Sequence, residues 1–159
     1  MYSKEFDIRW NDLDANRHLA NSSYIAFMAH TRMAFLGEHG FGHRQMQHYN
    51  IGPVIFYEHV YYFREVFAGH PIKVTLELGG MSEDGMFYEF IHNFYDYKGR
   101  NMCRGEMMGG WLDLGQRKLI GLPDELRKVV DQLEHSANFR LLTREDTRKY
   151  AKKPVDLKF

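Results

Sequence analysis

The chain carries a single cysteine, Cys103, among its 159 residues. No intrachain disulfide can form, which fits a reducing compartment. Charge of one sign is also missing: 21 Lys and Arg stand against 21 Asp and Glu. Nucleic acid or an acidic membrane is therefore not expected as a wholesale partner. No stretch approaches the ~20 apolar residues of a membrane span. The opening, Met1 to Asp7, lacks the apolar core of a secretion signal. These absences together predict a cytoplasmic protein. No internal repeat or low-complexity segment is present. The nine histidines form no tight cluster with Cys or carboxylates. His39 and His43 are four apart, but Gly37, Gly40 and Gly42 argue against a stable helix there. No metal is expected.

What is abundant is aromatic and Met content: twelve Phe, ten Tyr and nine Met. At this length the chain makes one domain, or one domain plus a short tail. The aromatics can fill its core, a subunit interface or an apolar ligand tunnel.

Lys4 to Trp10 alternates apolar and charged residues, which predicts a half-buried strand. A polar turn follows, Asp12 to Asn21, with Ser22 or Ser23 as the natural N-cap of a helix. From Tyr24 to Leu36 the only formally charged residue is Arg32, so this helix belongs inside the fold. Gly37 and Gly40 end it. Phe41 to Asn50 reads as a polar connection. Four strands are expected next: Pro53 to Phe67, Ile72 to Leu78, Phe87 to Tyr97 and Met102 to Leu114. Gly105, Gly109 and Gly110 in the last imply bulges or close backbone approach. Pro123, Asp124 and Glu125 start a short helix running to about Glu134. Residues 1–136 form the expected domain and 137–159 a basic tail. From Arg140 onward the tail holds seven basic residues against three acidic, an excess able to attract phosphates. Consecutive strands with short turns imply an α+β fold whose antiparallel sheet curves around the early helix.

The turn from Asp12 into the helix organises the chain. Its two carboxylates, Asp12 and Asp14, sit beside a helix start, where unpaired N–H groups carry partial positive charge. A carboxylate there can act on a carbonyl that those N–H groups polarise. Asp14 read alone fits a turn cap better than a catalytic group, since Asp is common in turns. Asp12 suits a structural role, bonding turn amides.

Arg9 to Tyr24 reads Arg-Trp-Asn-Asp-Leu-Asp-Ala-Asn-Arg-His-Leu-Ala-Asn-Ser-Ser-Tyr. This resembles the signature of hotdog-fold acyl-CoA thioesterases, the 4-hydroxybenzoyl-CoA thioesterase-like group in particular. Asp12, Asp14, His18, Asn21 and Tyr24 match its motif, and Arg32 with Phe35 and Leu36 match the helix that follows. Arg17 stands where the family has Gly, Ala20 replaces an Asn, and His30 replaces a common acidic residue. At a positive φ, Arg17 would be strained.

The resemblance implies hydrolysis of an acyl-CoA or acyl-carrier-protein thioester. Asp14 would be nucleophile or base, and the Asn21 amide would polarise the carbonyl. Sites would lie at the dimer interface of a homo-oligomer, dimer or tetramer, and no cofactor would be needed beyond the CoA thioester itself. His18 would position the loop. Arg17, Tyr24, Glu58 and His59 complete the candidate substrate-binding set, the last two from opposite faces of one strand. Two rivals remain on the same fold: a hydratase or dehydratase, and a non-catalytic acyl-CoA-binding protein.

Overall fold

Alternation along the chain resolves into the strands of one sheet. The computed structural model describes residues 1–150 and 152–159. Its elements are β1 (Tyr2–Phe6), α1 (Asn21–Glu38), α2 (His43–Tyr49), β2 (Ile51–Tyr62), β3 (Ile72–Met81), β4 (Phe87–Tyr95), β5 (Asn101–Asp113), β6 (Lys118–Leu119), α3 (Asp124–Val130) and β7 (His135–Leu141). Short 3-10 turns cover Trp10–Asp12 and Arg144–Arg148. The sheet order is β1-β3-β4-β5-β2, with β6 added on β5 and β7 on β3. All pairs are antiparallel except β3 with β7. The sheet curls around α1.

The helix owes its place to one side. Tyr24, Phe27, Met28, Phe35 and Leu36 are buried, while Ala26 and His30 face out. It is thus covered on one side and exposed on the other, rather than wholly inside the fold. The buried face also holds Thr31 and Arg32, which blunts the contrast between the two sides. Thr31 satisfies its hydroxyl by donating to the Phe27 carbonyl at 2.8 Å. Toward the N-terminal end, Tyr24, Phe27 and Met28 pack on Ile72, Val74, Phe94 and Cys103. Toward the other end, Phe35 and Leu36 pack with Leu76, Leu78, Phe90, Met107 and Trp111. Each such side chain contributes about 1.5–3 kcal/mol by leaving water.

Several boundaries differ from the sequence expectation, each for a local reason. The first strand stops at Phe6, and Trp10 is 90% exposed. Asp12 bends the chain there by accepting the Arg9 amide at 2.8 Å and Arg9 Nε at 3.0 Å. The second strand ends at Tyr62; beyond it the amides of Phe63 and Arg64 both donate to the Met102 carbonyl. The expected polar connection after Phe41 contains α2, whose Met46 and the preceding Phe41 reach the core. α1 continues through Gly37 to Glu38, and Gly40 turns with φ +84. The C-terminal helix ends at Val130, earlier than expected.

The boundary expected after residue 136 falls inside β7. From there the chain crosses the sheet's outer face. Leu142 is buried against Phe87 and Met108, with Phe56, Tyr57, Met86 and Leu119 around them. Part of the aromatic outer face is therefore covered by the chain's own C-terminal segment.

Candidate active site

The turn before α1 is built by its own side chains. The Asp14 amide donates to the His18 carbonyl at 2.9 Å, and the Arg17 amide to the Asp14 carbonyl at 3.0 Å. Asp14 Oδ1 accepts the amides of Asn16 at 2.8 Å and His18 at 3.2 Å. Among the described residues no protein donor reaches Oδ2. One oxygen thus anchors the carboxylate and the other stays available. Arg17 closes the turn at φ 63, a left-handed geometry costing about 1–2 kcal/mol for a residue with a Cβ.

Asp12 supports this turn from beneath. It is buried, and the Arg9 side chain holds its carboxyl below the usual carboxylate range. The Asp12 carbonyl accepts the Ala20 amide at 2.8 Å and the Ser23 hydroxyl at 2.9 Å. Ser23 is therefore committed to the loop and does not cap the helix. The N-cap is Ala20, which has no side-chain acceptor. The Ser23 amide turns back to the Ala20 carbonyl at 2.9 Å. The amides of Asn21 and Ser22 meet no backbone acceptor outside the helix among the described residues. They remain open donors at the positive end of an 18-residue helix.

Asp14, His18, Asn21 and Tyr24 line a single cleft of about 340 Å³. Tyr62, Phe63, Arg64 and Glu65, from the end of β2 and the segment after it, complete the walls. His18 is held there by Glu65, 3.1 Å from its Nε2, and by the edge of Phe67. The Leu19 amide donates to the Val66 carbonyl at 2.8 Å. Tyr24 stacks edge-on against Tyr62 at 5.1 Å. Burial pushes its phenol upward, with Cys103, Tyr62 and the Asp14 carboxylate adding to the effect.

Arg17 is exposed on the turn and is not among the lining residues. Glu58 and His59 lie outside the cleft as well. Glu58 Oε1 is buried without a hydrogen-bond partner, and the carboxylate acts on the Arg32 guanidinium. His59 lies with its Nδ1 3.1 Å from the Tyr150 hydroxyl. The sequence reading missed the Arg64–Glu65 wall, because those residues read as more strand. It also missed His92 as the partner of Arg32. Arg32 is 8% exposed, and its Nη1 lies 3.2 Å from His92 Nε2. A guanidinium can only donate. Nε2 must then carry the lone pair, and Nδ1–H donates to the Thr75 carbonyl at 3.0 Å. No group of three or more His, Cys, Asp or Glu among the described residues is placed to hold a metal ion.

A curled antiparallel sheet around one central helix, with the cleft at that helix's N-terminus, is the hotdog architecture. Residues 8–130 match the model of the Thioesterase-like superfamily, and the chain belongs to that family. No curated protein sequence matches it significantly. Among solved structures it resembles the probable thioesterase YbaW of Escherichia coli at 21% identity and TM-score 0.72, covering 84% of this chain and 98% of that one. It resembles a 1,4-dihydroxy-2-naphthoyl-CoA thioesterase of Synechocystis at 12% identity and TM-score 0.73, covering 85% and 98%. A Staphylococcus aureus hypothetical protein solved in complex with CoA aligns at 15% identity and TM-score 0.76, covering 98% and 95%. No helix among the described residues is long and apolar enough to cross a membrane.

Proposed function

We propose that this chain hydrolyses an acyl-CoA or acyl-carrier-protein thioester, as a member of the 4-hydroxybenzoyl-CoA thioesterase-like branch. One observation carries the reading. An anchored carboxylate with a free oxygen, Asp14, shares a cleft with the open amides at the start of α1. As a base, Asp14 Oδ2 takes a proton from water, and the hydroxide adds to the thioester carbon. The carbonyl oxygen gains the negative charge and receives the Asn21 N–H. Collapse expels the thiolate, which takes the proton back from Asp14. As a nucleophile, Oδ2 attacks directly and forms a mixed anhydride, which water then opens. Neither route calls on a metal or cofactor.

The family resemblance supports CoA as the thiol carrier, and the lone cysteine fits a reducing compartment such as the cytoplasm. His18 positions the turn through its amide and its contact with Glu65. Tyr24 and Tyr62 wall the cleft, and Arg17 stands exposed on the turn outside its lining. Arg17 in place of Gly is the feature that favours the alternative of a non-catalytic binder. Arg17 nevertheless adopts the left-handed backbone, so the loop geometry is kept, which favours hydrolysis.

Asp14→Asn keeps size and hydrogen bonding but removes the charge. Turnover of a panel of short, long and aromatic acyl-CoAs should fall about 10²-fold or more, with thermal stability nearly unchanged. Asn21→Ala should be mild, because the backbone N–H remains. Equal losses in both would overturn the oxyanion assignment, and full activity in Asp14→Asn would overturn the carboxylate.

A further inference from the structure

A second cavity lies on the far side of the sheet from Asp14, and the thioesterase reading makes no use of it. It begins with an irregularity in β2. The register with β5 slips between Ile55 and Tyr57, leaving Phe56 without a partner. A bulge of this kind brings consecutive side chains to one face. Phe56 and Tyr57 consequently both pack on the outer cluster of Phe87, Met108 and Leu142. His59 follows on the same face, whereas Val60 joins the inner core.

The C-terminal segment then closes over this strip. Arg140 reaches Glu89 at 3.3 Å and also pairs with Asp146. Asp146 Oδ2 accepts the Thr143 amide at 2.7 Å, and the Asp146 carbonyl accepts the Tyr57 hydroxyl at 3.2 Å. Tyr150 stands edge-on to Tyr57 at 5.2 Å and tilted over His59 at 4.4 Å. The segment is thus seated on the sheet. Between it and β2 remains a cavity of about 370 Å³, lined by Phe56, Tyr57, His59, Thr147, Arg148, Tyr150 and Lys152.

The charge pattern of this cavity is one-sided. Its lining includes two permanent cations, Arg148 and Lys152, and no carboxylate. The nearby acids Glu89 and Asp146 are already taken by Arg140. No ion pair among the described residues engages Arg148 or Lys152. Aromatic walls accept a flat ring by stacking, and an Arg beside a Lys accepts phosphate oxygens. The volume falls in the range of small-molecule sites.

We infer that this cavity binds an adenine nucleotide, its base against the aromatic wall formed by Phe56, Tyr57 and Tyr150 and its phosphates on Arg148 and Lys152. The same chemistry is presented by a free nucleotide and by the 3′-phospho-ADP end of CoA. Calorimetric titration of the full chain with ADP tests the inference. ADP should bind, and the double variant Arg148→Glu/Lys152→Glu should weaken binding by about tenfold or more. Both residues are exposed, so the variant should fold normally. Tyr150→Ala should weaken ADP and adenosine alike, whereas the charge variant should weaken ADP far more than adenosine.

Two kinetic arms then assign the source. If the charge variant raises KM for an acyl-CoA but not for the matching acyl-pantetheine, the site holds the nucleotide end of CoA. If both KM values stay put while ADP binding is lost, the site serves a free nucleotide. Absence of ADP binding at millimolar concentration, or equal binding by the charge variant, overturns the inference. ADP binding does not depend on hydrolysis, so this outcome stands apart from that of Asp14→Asn.

Discussion

At the scale of single residues, His92 offers a sharp prediction. Burial, and then the neighbouring Arg32, lower its pKa from 6.5 to about 3. In the unfolded chain the imidazole takes up a proton near its ordinary value. Between those two values the unfolded state binds more protons than the folded one. Stability is therefore full above about pH 6.5 and falls as pH drops toward 3, by about 1.4 kcal/mol per unit from this group. Urea midpoints measured from pH 7 to 5 should show this slope in the wild type. His92→Asn should be less stable at pH 7 but lose that component of the slope; identical slopes would sink the assignment. The sequence made the Asp14 turn legible because its parts are contiguous. It did not reveal the Arg32–His92 pair, whose members are 60 positions apart. Arg32 stood out as the lone charge in its helix, but nothing local named its partner. The open helix amides were also hidden, because two serines looked like caps and one of them bonds the loop instead.

At the scale of elements, alternation and turn residues located the long strands, and glycine marked where backbones crowd. A Cβ on Gly109 would lie 2.5 Å from the Val54 carbonyl oxygen and 2.6 Å from the Tyr88 ring. The first contact is backbone and cannot swing away. Gly109→Ala should lower stability by about 1–3 kcal/mol, read as a fall in denaturant midpoint, with the loss concentrated at the β2–β5 pairing. Gly105 differs, because a Cβ there meets the flexible Met28 side chain. Gly105→Ala should cost less than Gly109→Ala, and the reverse order would refute the distinction. Two elements escaped the sequence reading. α2 is seven residues long and mostly polar, so its helical period is too short to register. β7 reads His-Ser-Ala-Asn-Phe-Arg-Leu, without apolar alternation, because it lies at the margin of the sheet and buries little.

At the scale of the whole molecule, β2 is the exposed flank. It pairs with β5 on one side only, and Ile55, Tyr61, Tyr62, Phe63 and Phe67 are exposed along and beyond it. A long apolar edge of this kind recruits another strand. We expect a homodimer through β2, giving a solution mass of twice 18.9 kDa at micromolar concentration. Tyr61→Asp with Phe63→Asp should shift it toward monomer, and a wild-type monomer would refute the expectation. On the opposite flank two short strands of the chain share the edge of β3. β1 pairs with β3 from Ile72 to Leu76, and β7 with the same strand from Leu78 to Met81. The amino group of Met1 meets Glu134 at 2.7 Å. The first and last strands thus share one seam, which has a consequence for biosynthesis. A ribosome delivers β1 and β3 early, but half of the seam stays bare until residues 135–141 emerge. A nascent or prematurely terminated chain presents that half-strand as a ready template for a neighbouring polypeptide, so synthesis to the end is itself a safeguard against coaggregation.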